Sequence, residues 1–146
     1  MPIVLPDTNI LLALVDPVHP HHQKASEWFA NAEPNGWVTC PMTENGFVRI
    51  LSSPTYPGTN ISTRDALALL DTTLSNHARN HRFWDDSISL RDMTLFKPEH
   101  FQGHKQVTDI YLLGLCQRNG GTLATLDKGI SKVSIVSPHS ELLQIL

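Results

Sequence analysis

Four carboxylates sit at positions from which a sheet and its helices would carry them to one place: Asp7, Glu44, Asp109 and Asp127. Asp7 follows the apolar run Ile3-Val4-Leu5 across Pro6, and Asp127 follows Thr122-Leu123-Ala124-Thr125-Leu126. Both runs read as strands buried on two faces, so both acids are expected at the carboxyl edge of one parallel sheet. Glu44 precedes Phe47, Val48 and Leu51, and Asp109 precedes Leu112, Leu113 and Cys116, at offsets of three, four and seven. Each therefore heads the apolar stripe of a helix and points toward the core. Any one of them could be a helix cap or a first-turn charge. Four together repel one another, and burying them forces protonation unless a positive charge sits among them. Oxygen donors without a neighbouring Cys or His pair select Mg²⁺ or Mn²⁺ over Zn²⁺. Such an ion activates water and neutralises charge on phosphoryl oxygens, the chemistry of phosphodiester hydrolysis. Thr8, Asn9, Thr108 and Thr125 flank the acids and are placed either to orient them or to make ordinary turn and cap hydrogen bonds.

The elements that must hold these acids alternate along the chain. A helix is expected after Thr8 to Val15, another from His21 to Ala32, a strand at Trp37–Cys40 and a helix from Pro41 to Leu51. Ser62 caps a helix with Ala66, Leu67, Leu69, Leu70 and Leu74 on its apolar face. His81–Trp84 reads as a third strand, a helix begins near Gln106, Thr122–Leu126 is a fourth strand and Val133–Val136 a fifth. Alternating strands and helices predict an α/β fold, a three-layer α/β/α sandwich with a central parallel sheet, as a single domain over residues 1–146. Ligands in such sheets sit at the carboxyl ends of strands where the strand order reverses.

Composition narrows the function. A net charge of −3 excludes binding of nucleic acid by bulk charge. Two cysteines, Cys40 and Cys116, in apolar surroundings read as buried thiols of a reducing compartment. The Ile10–Val15 run lacks the flanks of a signal peptide and the length of a membrane span, so a cytoplasmic location with no membrane contact is expected. Trp28 and Phe29, like Phe83 and Trp84, are read as core or dimer packing rather than base-stacking platforms. His19, His21 and His22 are read as a solvated helix start rather than a zinc site.

The segments Pro6-Asp7-Thr8-Asn9, Thr43-Glu44-Asn45-Gly46-Phe47-Val48-Arg49, Gly103 to Asp109 and Gly120-Gly121 to Asp127, in this order and spacing, resemble the PIN-domain ribonucleases, specifically the VapC-type toxins of toxin–antitoxin modules. The resemblance spans nearly the whole chain. It implies that Asp7, Glu44, Asp109 and Asp127 form a catalytic Mg²⁺ or Mn²⁺ site with Asn9 and Thr125 beside it. It further implies a homodimer, an RNA substrate, and a cognate antitoxin protein lying across the site. Many such proteins carry another acid shortly after the last aspartate, where this chain has Lys128-Gly129-Ile130, which leaves one or two ions open. Arg49 and Lys128 are candidate contacts to RNA or antitoxin, with surface ion pairing or solvation as the alternative. Three rival readings fit these residues less well. A phosphatase of the haloacid-dehalogenase type needs an acid where Asn9 stands, and a receiver domain needs a lysine where Ser137-Pro138-His139 follow the last expected strand. A catalytically silent PIN-like protein-binding module would have no need of all four acids.

Overall fold

A computed structural model describes residues 2–146. Five strands, β1 (Val4–Pro6), β2 (Trp37–Thr39), β3 (His81–Phe83), β4 (Thr122–Thr125) and β5 (Leu143–Ile145), form one sheet in the order β3-β2-β1-β4-β5. All neighbours run parallel, with Val4 opposite both Trp37 and Thr122. The five α-helices are α1 (Thr8–Val15), α2 (His22–Ala32), α3 (Pro41–Leu51), α4 (Thr63–Asn76) and α5 (Val107–Asn119).

Alternation along the short strands divides the core into two layers. Leu5, Val38 and Leu123 pack with Leu112, Leu113, Phe96 and Ile135 on the α5 side. Val4 and Trp37 pack with Leu11, Phe29, Phe47 and Leu70, from α1 to α4, on the other. Helices therefore cover both faces, as the uninterrupted apolar strands require. The expected three-layer α/β/α sandwich is the observed architecture. From β1 the chain steps outward to β2 and β3, then returns across the sheet to β4, so the order reverses between β1 and β4. The crevice at their carboxyl ends is where Asp7 and Asp127 emerge.

Local chemistry sets the boundaries. Pro6 ends β1, and the Asp7 N–H extends the ladder by donating to the Ala124 carbonyl at 2.9 Å. Ser62 caps α4 through a 3.0 Å bond from the Asp65 N–H, as expected. Gly120 closes α5 at φ 70°, a conformation that favours glycine. Cys40 and Cys116 are buried free thiols.

The fifth strand departs from expectation. Val133–Val136 is not a strand: Lys132–Ser134 is a 3-10 turn, and Ile135 makes only an isolated antiparallel bridge to Phe96. The Ser131 hydroxyl accepts from the Val133 N–H at 3.2 Å and Ser137 takes φ 47°, which bends the run away from extended pairing. Leu143–Ile145 takes the edge of the sheet instead, anchored by the fully buried Leu142, whose carbonyl accepts from the Leu123 N–H. Phe83 also departs from its expected packing role, since its side chain lies exposed at the β3 edge.

Candidate active site

Asp7 occupies the N-cap of α1 and is 5% exposed. The Ile10 N–H donates to its Oδ1 at 3.0 Å, and the Thr125 hydroxyl donates to its Oδ2 at 2.6 Å. The cap reading and the site reading of this aspartate thus hold together, one oxygen serving each. Thr125 Oγ1 also accepts from the Asp127 N–H at 3.0 Å. A single buried hydroxyl at the end of β4 therefore ties the two strand-end acids together. Asp127 is exposed and held in its turn by the Gly129 N–H, which donates to Oδ1 at 2.8 Å.

Electrostatics groups Asp109 with these two. Burial pushes its carboxyl up to about 6, with the charges of Asp7 and Asp127 adding to the rise. Burial likewise pushes Asp7 up, opposed by its bonds from Thr125 and Ile10 and reinforced by Asp127. Three of the four expected acids therefore lie within reach of one another's charge at the strand-order reversal, two from strand ends and one from the head of α5.

Glu44 is placed differently. Its Oε2 accepts from the Thr39 hydroxyl at 2.6 Å, and it is not among the charges acting on Asp109. Thr39 Oγ1 also lies 2.8 Å from His81 Nε2. Since the Thr39 proton points to Glu44, His81 donates from Nε2, and burial holds that imidazole below its ordinary pKa. Glu44 is thus the end of a hydrogen-bonded chain running across β3 and β2, beside the acidic group rather than within it.

A groove of about 380 Å³ adjoins the acids, lined by Thr8, Thr108, Asn45, Gly46, Arg49 and Asp86 among others. Thr8 packs against α3 where Gly46 leaves room: a Cβ there would lie 2.8 Å from Thr8 Oγ1. Asn9 is exposed, and its backbone N–H, not its side chain, faces Asp7. Arg49 is exposed at the groove, and the two ion pairs among the described residues join other groups. Lys128 is exposed in the turn after Asp127.

Sequence reasoning passed over Asp86 and Gln106. Asp86 lies three residues past β3, behind Trp84 and Asp85, so a rule that looks directly after a strand stops at Asp85. Gln106 precedes Asp109 by three residues, one helical turn; its Oε1 is shut off from solvent with no hydrogen-bond partner among the described residues. Its amide nitrogen lies 3.8 Å from where a Cβ on Gly129 would stand, a point 3.2 Å from Asp127 Oδ1. The donor set fits a hard dication: carboxylates that raise one another's pKa, oxygens only, and an orphaned amide oxygen beside the Asp127 turn. As the side chains stand, no three His, Cys, Asp or Glu among the described residues close on a single point. The group is gathered and open.

The profile of the family described as PIN domain matches residues 4–136. This chain belongs to the PIN-domain family. Within it the curated relatives are VapC proteins. Ribonuclease VapC44 of Mycobacterium tuberculosis is 38% identical over 129 residues, covering 88% of this chain and 89% of the relative. Ribonuclease VapC38 of the same organism is 38% identical over 146 residues, covering 99% and 100%. Among solved structures, VapBC2 from Rickettsia felis bound to a DNA fragment from their promoter superposes with a TM-score of 0.59 at 14% identity, over 99% of this chain and 98% of that one. The Mycobacterium tuberculosis VapC20, a sarcin-ricin loop cleaving toxin, superposes with a TM-score of 0.60 at 16% identity, over 91% and 96%. These two likenesses show the fold of the PIN domain; the curated relatives carry the ribonuclease name. No helix among the described residues is long and apolar enough to cross a membrane.

Proposed function

We propose that this PIN domain, a single domain over residues 1–146, is the toxin of a toxin–antitoxin module and an endoribonuclease dependent on Mg²⁺ or Mn²⁺. The observation that carries the reading is the convergence of Asp7, Asp109 and Asp127 at the reversal between β1 and β4, with the Asp109 carboxyl pushed up to about 6 by burial and the other two charges. A dication bound there supplies a nucleophile from water and offsets charge on the phosphoryl oxygens. Asp7, Asp109 and Asp127 would hold it. Thr125 fixes the direction of Asp7 and the backbone of Asp127. Glu44, assigned to the same set by its helix position, gives Oε2 to Thr39 and keeps Oε1 for an ion.

The VapC names of the curated relatives support RNA as the substrate, and the VapBC2 complex supports a protein antitoxin as the partner. Arg49 and Lys128, both exposed beside the acids, would meet backbone phosphate or an acidic antitoxin group. A homodimer and a cytoplasmic location complete the reading. The test is RNA cleavage by purified, antitoxin-free protein. Cutting in Mg²⁺ or Mn²⁺ that stops with EDTA and with Asp7→Asn is expected, with 5′-phosphate ends. Cutting that survives both treatments, or a folded Mn²⁺-loaded protein that cuts no RNA, overturns it.

A further inference from the structure

Asp86 lines the same groove as Thr8 and Thr108, the sequence neighbours of Asp7 and Asp109. The charge that acts on it is that of Asp85, whereas Asp109 feels Asp7 and Asp127. It is not a member of their group. Burial raises the Asp86 carboxyl above its ordinary pKa, opposed by the Cys40 thiol and the Met42 N–H at the head of α3. A carboxylate offers about four acceptor sites, so this anchoring leaves acceptors for the groove. Asn45, one turn along α3, and Arg49, one turn further, are exposed on the same groove. The volume of about 380 Å³ falls within the ~300–1,000 Å³ typical of small-ligand sites. Along one face the groove thus presents two adjacent acceptors, an amide and a cation, next to the acids that would cut.

Single-stranded RNA is recognised through bases splayed from the stack and bonded along their Watson–Crick edges. Guanine presents two adjacent donors there, N1–H and N2–H, followed by the acceptor O6. Uracil has a single N–H between two carbonyls, which a carboxylate repels. Adenine and cytosine set an acceptor directly beside their amino donor. Only guanine matches two carboxylate oxygens, with O6 left for the Asn45 amide.

We propose that Asp86 and Asn45 form a guanine-reading subsite beside the scissile phosphate, with Arg49 on the adjoining backbone phosphate. The inference rests on the ribonuclease reading and adds substrate choice to it. Asp86→Asn is the sharpest probe. The amide keeps an acceptor for the Met42 N–H but turns two acceptors into one acceptor and one donor, the pattern that adenine matches.

Two measurements test it. Cleavage of a randomised single-stranded RNA library, read by sequencing the ends, is expected to show guanine over adenine by roughly tenfold or more at one position flanking the cut. In Asp86→Asn that ratio falls at least tenfold toward adenine, while in Glu44→Gln it stays. Binding of GMP and AMP, titrated in EDTA and read from the amide resonances of Met42, Asn45 and Arg49, gives the same order without catalysis. An unchanged base profile in Asp86→Asn, no guanine preference in the wild type, or equal GMP and AMP binding overturns the subsite. A wild type that prefers GMP yet cuts no RNA overturns the ribonuclease reading and upholds the subsite. Loss of Mn²⁺ affinity in Asp86→Asn with unchanged GMP binding makes Asp86 an ion-site residue and also overturns it.

Discussion

The Thr125 hydroxyl donates to Asp7 Oδ2 at 2.6 Å across 118 positions of sequence, while accepting from the Asp127 N–H at 3.0 Å. Thr125→Val keeps the shape and removes both bonds. Leaving the buried Asp7 oxygen and the Asp127 N–H unsatisfied is expected to cost about 1–3 kcal/mol of stability. The lost bond had lowered the Asp7 pKa, so the acidic limb of the pH–rate profile shifts to higher pH and Mn²⁺ binds more weakly. Thr125→Ser restores both. Urea denaturation and Mn²⁺ titration check this, and a wild-type pH limb in Thr125→Val contradicts it.

Asp109 carries a pH signature in the metal-free protein. Its folded pKa of about 6 lies above the ordinary 3.8, so the folded chain holds this proton more tightly than the unfolded chain. The contribution is complete below about pH 4 and is lost as pH rises through 6. Asp109→Asn is therefore expected to stabilise the metal-free protein at pH 7.5, by about 1 kcal/mol after discounting for partial exposure, with the gain vanishing near pH 4. Divalent ions reverse the order at pH 7.5, because their ligands must be deprotonated. Denaturation at the two pH values, with EDTA and with Mn²⁺, reads all three statements.

Glu44 and Asp7 are both acids of the expected set, yet their substitutions should differ. Glu44→Gln keeps an acceptor for Thr39 Oγ1, so stability changes by no more than about 1 kcal/mol. Its kcat/KM is expected to fall by less than about tenfold, against roughly a hundredfold or more for Asp7→Asn, Asp109→Asn or Asp127→Asn. Equal losses would show that Glu44 joins the ion as a full ligand.

Gly46 is a packing position. A methyl there would approach Thr8 Oγ1 at 2.8 Å, and the β-branched Thr8 has little rotamer freedom to give way. Gly46→Ala is expected to cost about 1–3 kcal/mol by overpacking α1 against α3. The strain falls next to Asp7, so cutting drops as well. The double variant Gly46→Ala with Thr8→Ser frees the methyl and recovers much of the stability; a melting temperature equal to wild type in the single variant contradicts this.

The sequence on its own determined the layers and most of the elements, because those depend on local signals. Two-sided apolar strands, prolines and a serine at helix starts, and Gly120 at a helix end act over a few residues. Asp7 and Asp127 were legible as strand-end acids for the same reason. Tertiary structure decided the rest. Leu143–Ile145 became the fifth strand because Leu123 and Thr125 offered it a ladder, a pairing with no mark in its own few residues. The periodicity of α3 aimed Glu44 at the core side, but Thr39 and His81, from two neighbouring strands, decided where its carboxylate stopped. Asp86 faces the groove because of where β3 lies beside β2 and the head of α3. Periodicity fixes which way a side chain leaves its element; the partner it meets there comes from distant chain, and only the packed fold brings that partner within hydrogen-bond reach.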